Sequence, residues 1–103
     1  MDKIKVIDRR KYDDLSIFFS FFKFENVHIT LINFLTKLGI DEKSLNEIDI
    51  IFDCISDDFF YFFNERYKVC IFINSNKINL FIQSIDQNYK KEIIKLIRDY
   101  FEY

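Results

Sequence analysis

Between residues 47 and 85 the apolar positions recur mostly every second residue, the period of a strand with one buried face. In residues 47–55, EIDIIFDCI, this sets Ile48, Ile50, Phe52 and Cys54 on one face. Glu47, Asp49, Ile51 and Asp53 take the other. The turn signal Ser56-Asp57-Asp58 follows, and residues 59–63, FFYFF, read as a second strand with rings on both faces. Asn64-Glu65-Arg66 turns the chain into residues 68–74, where Val69, Ile71 and Ile73 align. Ser75-Asn76 returns it into residues 77–85 through Ile78, Leu80 and Ile82. Connections this short join antiparallel neighbours, so the pattern predicts a four-stranded antiparallel meander over about 47–85.

Elsewhere the period changes to that of a helix. Ile93, Ile94, Ile97 and Tyr100 or Phe101 recur at helical spacing behind capping groups at residues 86–88, and Lys91, Lys95 and Arg98 line the opposite side. Leu31, Ile32, Leu35 and Leu38 predict a helix over 29–38, ended by Gly39. Residues 12–24, YDDLSIFFSFFKF, fit either a helix through Leu15, Phe18, Phe19 and Phe22 or an aromatic strand, and the helix is the reading taken. Lys3–Ile7 adds a short strand or frays. The expectation is a single α+β domain over 1–103, with N-terminal helices and a C-terminal helix packed on the meander in two layers.

Composition sharpens this picture in one respect. Phe supplies 14 of the 103 residues, so large rings must fill the core. A fully buried Phe contributes about 1.5–3 kcal/mol. Nine of these Phe residues lie in two clusters, 18–24 and 59–63. Unless both sheet faces are covered, some of those rings form an exposed apolar surface suited to a protein contact or a dimer. No segment approaches the roughly 20 apolar residues that a membrane-spanning helix needs, and the charged N-terminus lacks an apolar signal segment. A cytoplasmic protein with no membrane partner is the expectation. Cys54 and Cys70 lie in separate predicted strands, where a disulfide is conceivable, and buried free thiols are the reading taken.

Charge is unevenly distributed. Asp41, Glu42, Glu47, Asp49, Asp53, Asp57 and Asp58 stand against Lys43 alone, so residues 41–58 carry −6 in a chain of net −2. Such a window repels anions and steers cationic surfaces toward it. The basic groups Lys90, Lys91, Lys95, Arg98 and Arg9, Arg10, Lys11 read as solvated faces in a chain of pI about 5.3, so direct nucleic-acid binding is not expected.

Candidate chemistry is sparse. His28 is the only histidine and precedes a predicted helix. Gly39 is the only glycine, so there is no Gly-rich loop to cradle phosphate. Asp49 and Asp53 would lie about 13 Å apart along a strand, too far to share one ion. One His and two distant Cys give no metal-ligand spacing. The expectation is therefore a protein with no catalytic residues, no cofactor and no metal.

In size, acidity, aromatic richness and lack of catalytic groups the chain resembles the small cytosolic immunity proteins that bacteria make against toxins. That resemblance implies an inhibitor, an immunity protein or antitoxin, that occludes a basic toxin or nuclease domain. Its contact would be Glu47, Asp49, Asp53, Asp57 and Asp58 with Tyr61 as the aromatic anchor. A phage-encoded inhibitor of a host defence nuclease fits the same pattern. The competing expectation is an adaptor or homo-oligomeric module that uses the Phe-rich strands.

Overall fold

The computed structural model describes residues 3–24, 26–52 and 57–103. Two short strands, β1 (Ile4–Lys5) and β2 (Asp8–Arg10), lead into β3 (Ser16–Phe22). Helices α1 (Val27–Leu38) and α2 (Glu42–Ile51) follow, then β4 (Asp58–Phe63), β5 (Tyr67–Ile73) and β6 (Lys77–Ser84). Helix α3 (Gln87–Tyr100) and β7 (Phe101–Glu102) complete the chain. Strands β2–β6 form one antiparallel sheet in the order β2-β3-β6-β5-β4, and β1 pairs parallel with β7. The class is α+β, a five-stranded antiparallel sheet packed with helices.

Two expectations fail here. Residues 42–51 are helical rather than the first strand of a meander, so the meander has three strands, β4 to β6. The segment satisfies both periods: Ile48, Ile50 and Phe52 alternate, while Leu45, Ile48 and Phe52 recur at helical spacing. Capping tips the balance, because the Asp41 carboxylate accepts from the Ser44 backbone N–H at 3.1 Å and from its hydroxyl at 2.8 Å. Helix formation leaves Ile50 at 77% exposure while Ile48 falls to 0%.

Residues 16–22, expected to be helical, instead form the inner strand β3 between β2 and β6. An inner strand with apolar residues on both faces loses the alternation that would identify it, and this Phe-rich run mimics a helical stripe. The predicted helices at 29–38 and beyond Asp86 form as expected. Helix α1 ends with Gly39 at φ 91°, whose N–H donates to Thr36 O, while the Ile40 N–H reaches Leu35 O. This left-handed cap needs glycine. Helix α3 starts on the Asp86 carboxylate, which accepts from the Tyr89 N–H at 3.0 Å.

The core lies between the sheet and the helices. Ile17, Phe19 and Phe21 of β3, Ile78, Leu80 and Ile82 of β6, and Val69, Ile71 and Ile73 of β5 share the covered face and are buried. From the helices come Leu31, Phe34, Leu35, Ile93 and Ile97. Phe101 joins the layers, with its ring 4.9 Å from Phe19, 5.0 Å from Phe21 and 5.2 Å from Phe34, centroid to centroid. Two asparagines shape the hairpins. Asn64 Oδ1 accepts from the Arg66 and Tyr67 N–H groups, and Asn74 Oδ1 from those of Asn76 and Lys77. The Asn64 amide also donates to Leu38 O at 3.1 Å, tying the β4–β5 turn to the end of α1.

Candidate interaction surface

Helices cover one face of the sheet, and the strand period fixes which side chains take the other. Cross-strand pairing aligns Tyr61, Cys70, Phe81, Phe18 and Arg10 in one row of that open face. A second row runs Phe59, Phe72, Asn79, Ser20 and Asp8, and a third Phe63, Lys68, Gln83 and Ser16. Phe22 and Lys77 close one end. Phe22, Phe59, Tyr61, Phe63 and Phe72 are exposed, while Phe18 and Phe81 are half-buried beneath Tyr12, whose ring meets theirs edge-on at 6.2 and 5.7 Å. The result is an aromatic sheet surface whose rings come from β3, β4, β5 and β6. Scattered apolar residues are normal on a protein surface; a contiguous group of this kind is not.

Polar groups punctuate the surface. The Ser20 hydroxyl meets Asn79 Oδ1 at 2.6 Å. Asp8 is already paired with Arg10 at 3.2 Å, and the Arg10 guanidinium lies over the Phe18 ring at 5.8 Å. The remaining charges in the three rows and at their end are Lys68 and Lys77, so the open face leans positive although the chain is negative. Cys70 is a free, half-buried thiol between Tyr61 and Phe81, and burial raises its pKa above the ordinary thiol value.

The residues expected to form an acidic contact fall in several places. Glu47 and Asp49 are exposed on α2, about 200° apart around the helix axis, flanking the buried Ile48 on opposite sides. The strand reading placed them side by side; the helix separates them. Asp57 is exposed just ahead of β4, and Asp58 opens β4 with covered-face parity. Asp53 and Cys54 lie outside the described residues. Tyr61 is exposed on the aromatic face beside Phe63 and Cys70, and it lines a cleft with Asp41, the residue that caps α2.

The groups considered for chemistry are dispersed. The His28 ring lies tilted against Phe52 at 5.2 Å between ring centroids, and the Lys23 ammonium lies 5.0 Å over the same ring. Among the described residues, no three His, Cys, Asp or Glu side chains converge on a metal position, and no helix is long and apolar enough to cross a membrane. Among the described residues, one open cleft of about 270 Å³ is lined by Leu15, Tyr67, Gln83 and Ile85 among others.

Sequence reasoning located the Phe clusters but missed the contributions of Phe72, Phe81 and Tyr12 to the open face. The available signal was the second parity set, Lys68-Cys70-Phe72 and Asn79-Phe81, read beside Tyr61. No protein family, curated protein or solved structure matches the chain.

Proposed function

We propose that the protein is a non-catalytic protein-binding module whose contact surface is the open aromatic face of its sheet. The observation that carries this reading is the convergence of Phe59, Tyr61, Phe63 and Phe72, all exposed, on a face that no helix among the described residues covers. Rigid rings on regular strands bury large area at small entropic cost, which makes them the preferred anchors of protein interfaces. Lys68 and Lys77 at the margins favour a partner that carries carboxylates around an apolar centre.

A second reading, with a partner of the opposite charge, is an inhibitor, an immunity protein or antitoxin directed at a basic toxin or nuclease domain. It is favoured by the exposure of Glu42, Glu47 and Asp49 on α2 and of Asp57 beside β4. In that case the acids steer the encounter and the rings hold the complex. Because α2 separates Glu47 from Asp49, the acids would act through their summed field and not as a single contact patch.

Capture from the native cell distinguishes the two surfaces. Wild type is compared with Phe59→Ser/Phe72→Ser and with Glu47→Lys/Asp49→Lys, each checked for a native circular dichroism spectrum. The module reading predicts a partner lost by the ring variant. Inhibition by electrostatic steering predicts a basic partner that the charge variant binds with a slower, salt-insensitive on-rate. A partner indifferent to the ring variant would refute the open face as the contact.

A further inference from the structure

We propose that two copies of this chain pair antiparallel along β4, joining their sheets edge to edge about a two-fold axis at Tyr61. The inference goes beyond the question of what binds the open face and rests on the two edges of the sheet being built differently. β2 is three residues long, and all three, Asp8, Arg9 and Arg10, are charged. Short length and charge are the usual guards against strand addition. β4 is six residues long and reads Asp-Phe-Phe-Tyr-Phe-Phe, with no Lys, Arg or Pro to block a partner strand.

Hydrogen-bond phase shows what that edge offers. The Asn64 N–H donates to Tyr67 O at 2.9 Å, which makes Asn64 and Tyr67 a bonded pair of the β4–β5 ladder. Bonded and non-bonded pairs alternate in an antiparallel ladder, so Phe62–Val69, Phe60–Ile71 and Asp58–Ile73 are bonded too. The next ladder has the matching phase, since the Asn74 N–H donates to Lys77 O. Phe59, Tyr61 and Phe63 therefore aim their N–H and C=O groups away from the sheet. Among the described residues, none donates to or accepts from these groups.

Those outward groups are self-complementary in one register. With Tyr61 opposite Tyr61 of the second copy, Phe59 faces Phe63 of that copy and Phe63 faces its Phe59. About six backbone bonds then close. Asp58 falls opposite Asn64, so no like charges meet along the strand. Shifting by one residue in each copy leaves outward groups unpaired. Stacking the two open faces instead would bury Lys68 and Lys77, while the only carboxylate in those rows, Asp8, is already paired with Arg10. Edge pairing keeps both lysines in water.

The surface involved sets the strength. Phe59, Tyr61 and Phe63 are 62%, 50% and 73% exposed. At about 200 Å² per aromatic side chain, that leaves about 370 Å² of ring surface per copy and about 740 Å² for the pair. Specific interfaces usually bury about 1,200–2,000 Å², so even full burial of these rings with the strand backbone gives a weak, reversible dimer. Its open faces would merge into one continuous aromatic surface. The guarded β2 edges would stop growth at two copies.

Sedimentation equilibrium on the full chain between about 1 µM and 500 µM tests the pairing. The expected result is a monomer at the low end and a dimer at the high end, a range suited to weak interfaces. Tyr61→Pro removes one outward N–H without touching the β4–β5 bonds, because proline is tolerated where the N–H faces solvent on an edge strand. It should keep the native spectrum and remain monomeric throughout. Phe59→Lys, which installs an edge guard, should also remain monomeric and serves if the proline variant fails to fold. In wild type, the amides of Phe59, Tyr61 and Phe63 should gain exchange protection with concentration while the Phe60 and Phe62 amides do not change. A strict monomer at 500 µM, a dimer that survives Phe59→Lys, or growth beyond two copies would overturn the proposal. A monomer that still captures its partner overturns the pairing alone; a dimer that captures nothing counts against the open-face reading alone.

Discussion

Replacing Ile48 and Ile50 separately by Ala measures the packing of α2 at two apolar positions only two residues apart. Ile48 is completely buried with Leu45 and Phe52 nearby in the core, whereas Ile50 is 77% exposed. Ile48→Ala removes methylene groups from a packed site and should cost about 2–5 kcal/mol. At about 4–8 °C per kcal/mol for a domain of this size, even 2.5 kcal/mol lowers Tm by roughly 10–20 °C. Ile50→Ala removes atoms that already face water and should change stability by less than about 0.5 kcal/mol. Urea unfolding of both variants, fitted with a common m-value, gives the two differences directly. Had residues 47–55 formed a strand, Ile48 and Ile50 would share the buried face and the costs would be similar. Equal losses would refute the helical account of this segment and the separation of Glu47 from Asp49 that follows from it.

Four further outcomes follow from named contacts. Phe101→Ala should cost about 3–5 kcal/mol in the same urea assay, because the ring touches both β3 and α1. Gly39→Ala should cost about 1–2 kcal/mol, since φ of 91° strains any side chain and the added Cβ would lie 3.3 Å from Asn64 Nδ2. In a Cys54→Ser background, Cys70 should alkylate more slowly than free cysteine at pH 8. Its rate should keep rising past the pH at which an ordinary thiol levels off, because burial raises its pKa. The Asp41 carboxyl is held below its ordinary pKa, first by the Ser44 hydroxyl and then by the Ser44 N–H. Its stabilisation is therefore full above the ordinary carboxylate range and is lost as pH falls through the lowered value. Asp41→Asn should flatten that acid limb in a pH series of urea midpoints.

The parts of the fold legible in the sequence are those where one period acted alone. Helix α3 has an amphipathic stripe and a capping Asp86, and β5 and β6 alternate cleanly between Asn-based turns. Helix α1 ends on the one glycine. Ambiguity arose where two patterns coincide. Ile48, Ile50 and Phe52 alternate as in a strand, and only the Asp41–Ser44 cap and the burial of Leu45 favour a helix. β3 has apolar residues on both faces because it is an inner strand with Tyr12 folded over Phe18, so neither period stands out.

The candidate surface was half legible for the same reason. FFYFF requires rings on both faces of β4, which is plain from the sequence. That Phe72 and Phe81 join them depends on strand order and register, which arise only from tertiary pairing. The charge of the acidic window is plain in the sequence, but the expected alignment of Glu47 and Asp49 on one strand face is not met, because residues 42–51 are helical.

The central claim is that the aromatic face, and not the acidic helix, forms the contact. Hydroxyl-radical footprinting of the chain alone and bound to its captured partner tests this most directly. The account predicts that Phe59, Tyr61, Phe63 and Phe72 lose labelling in the complex while Ile50 on α2 stays labelled. Protection of Ile50 with the rings still fully labelled would contradict it.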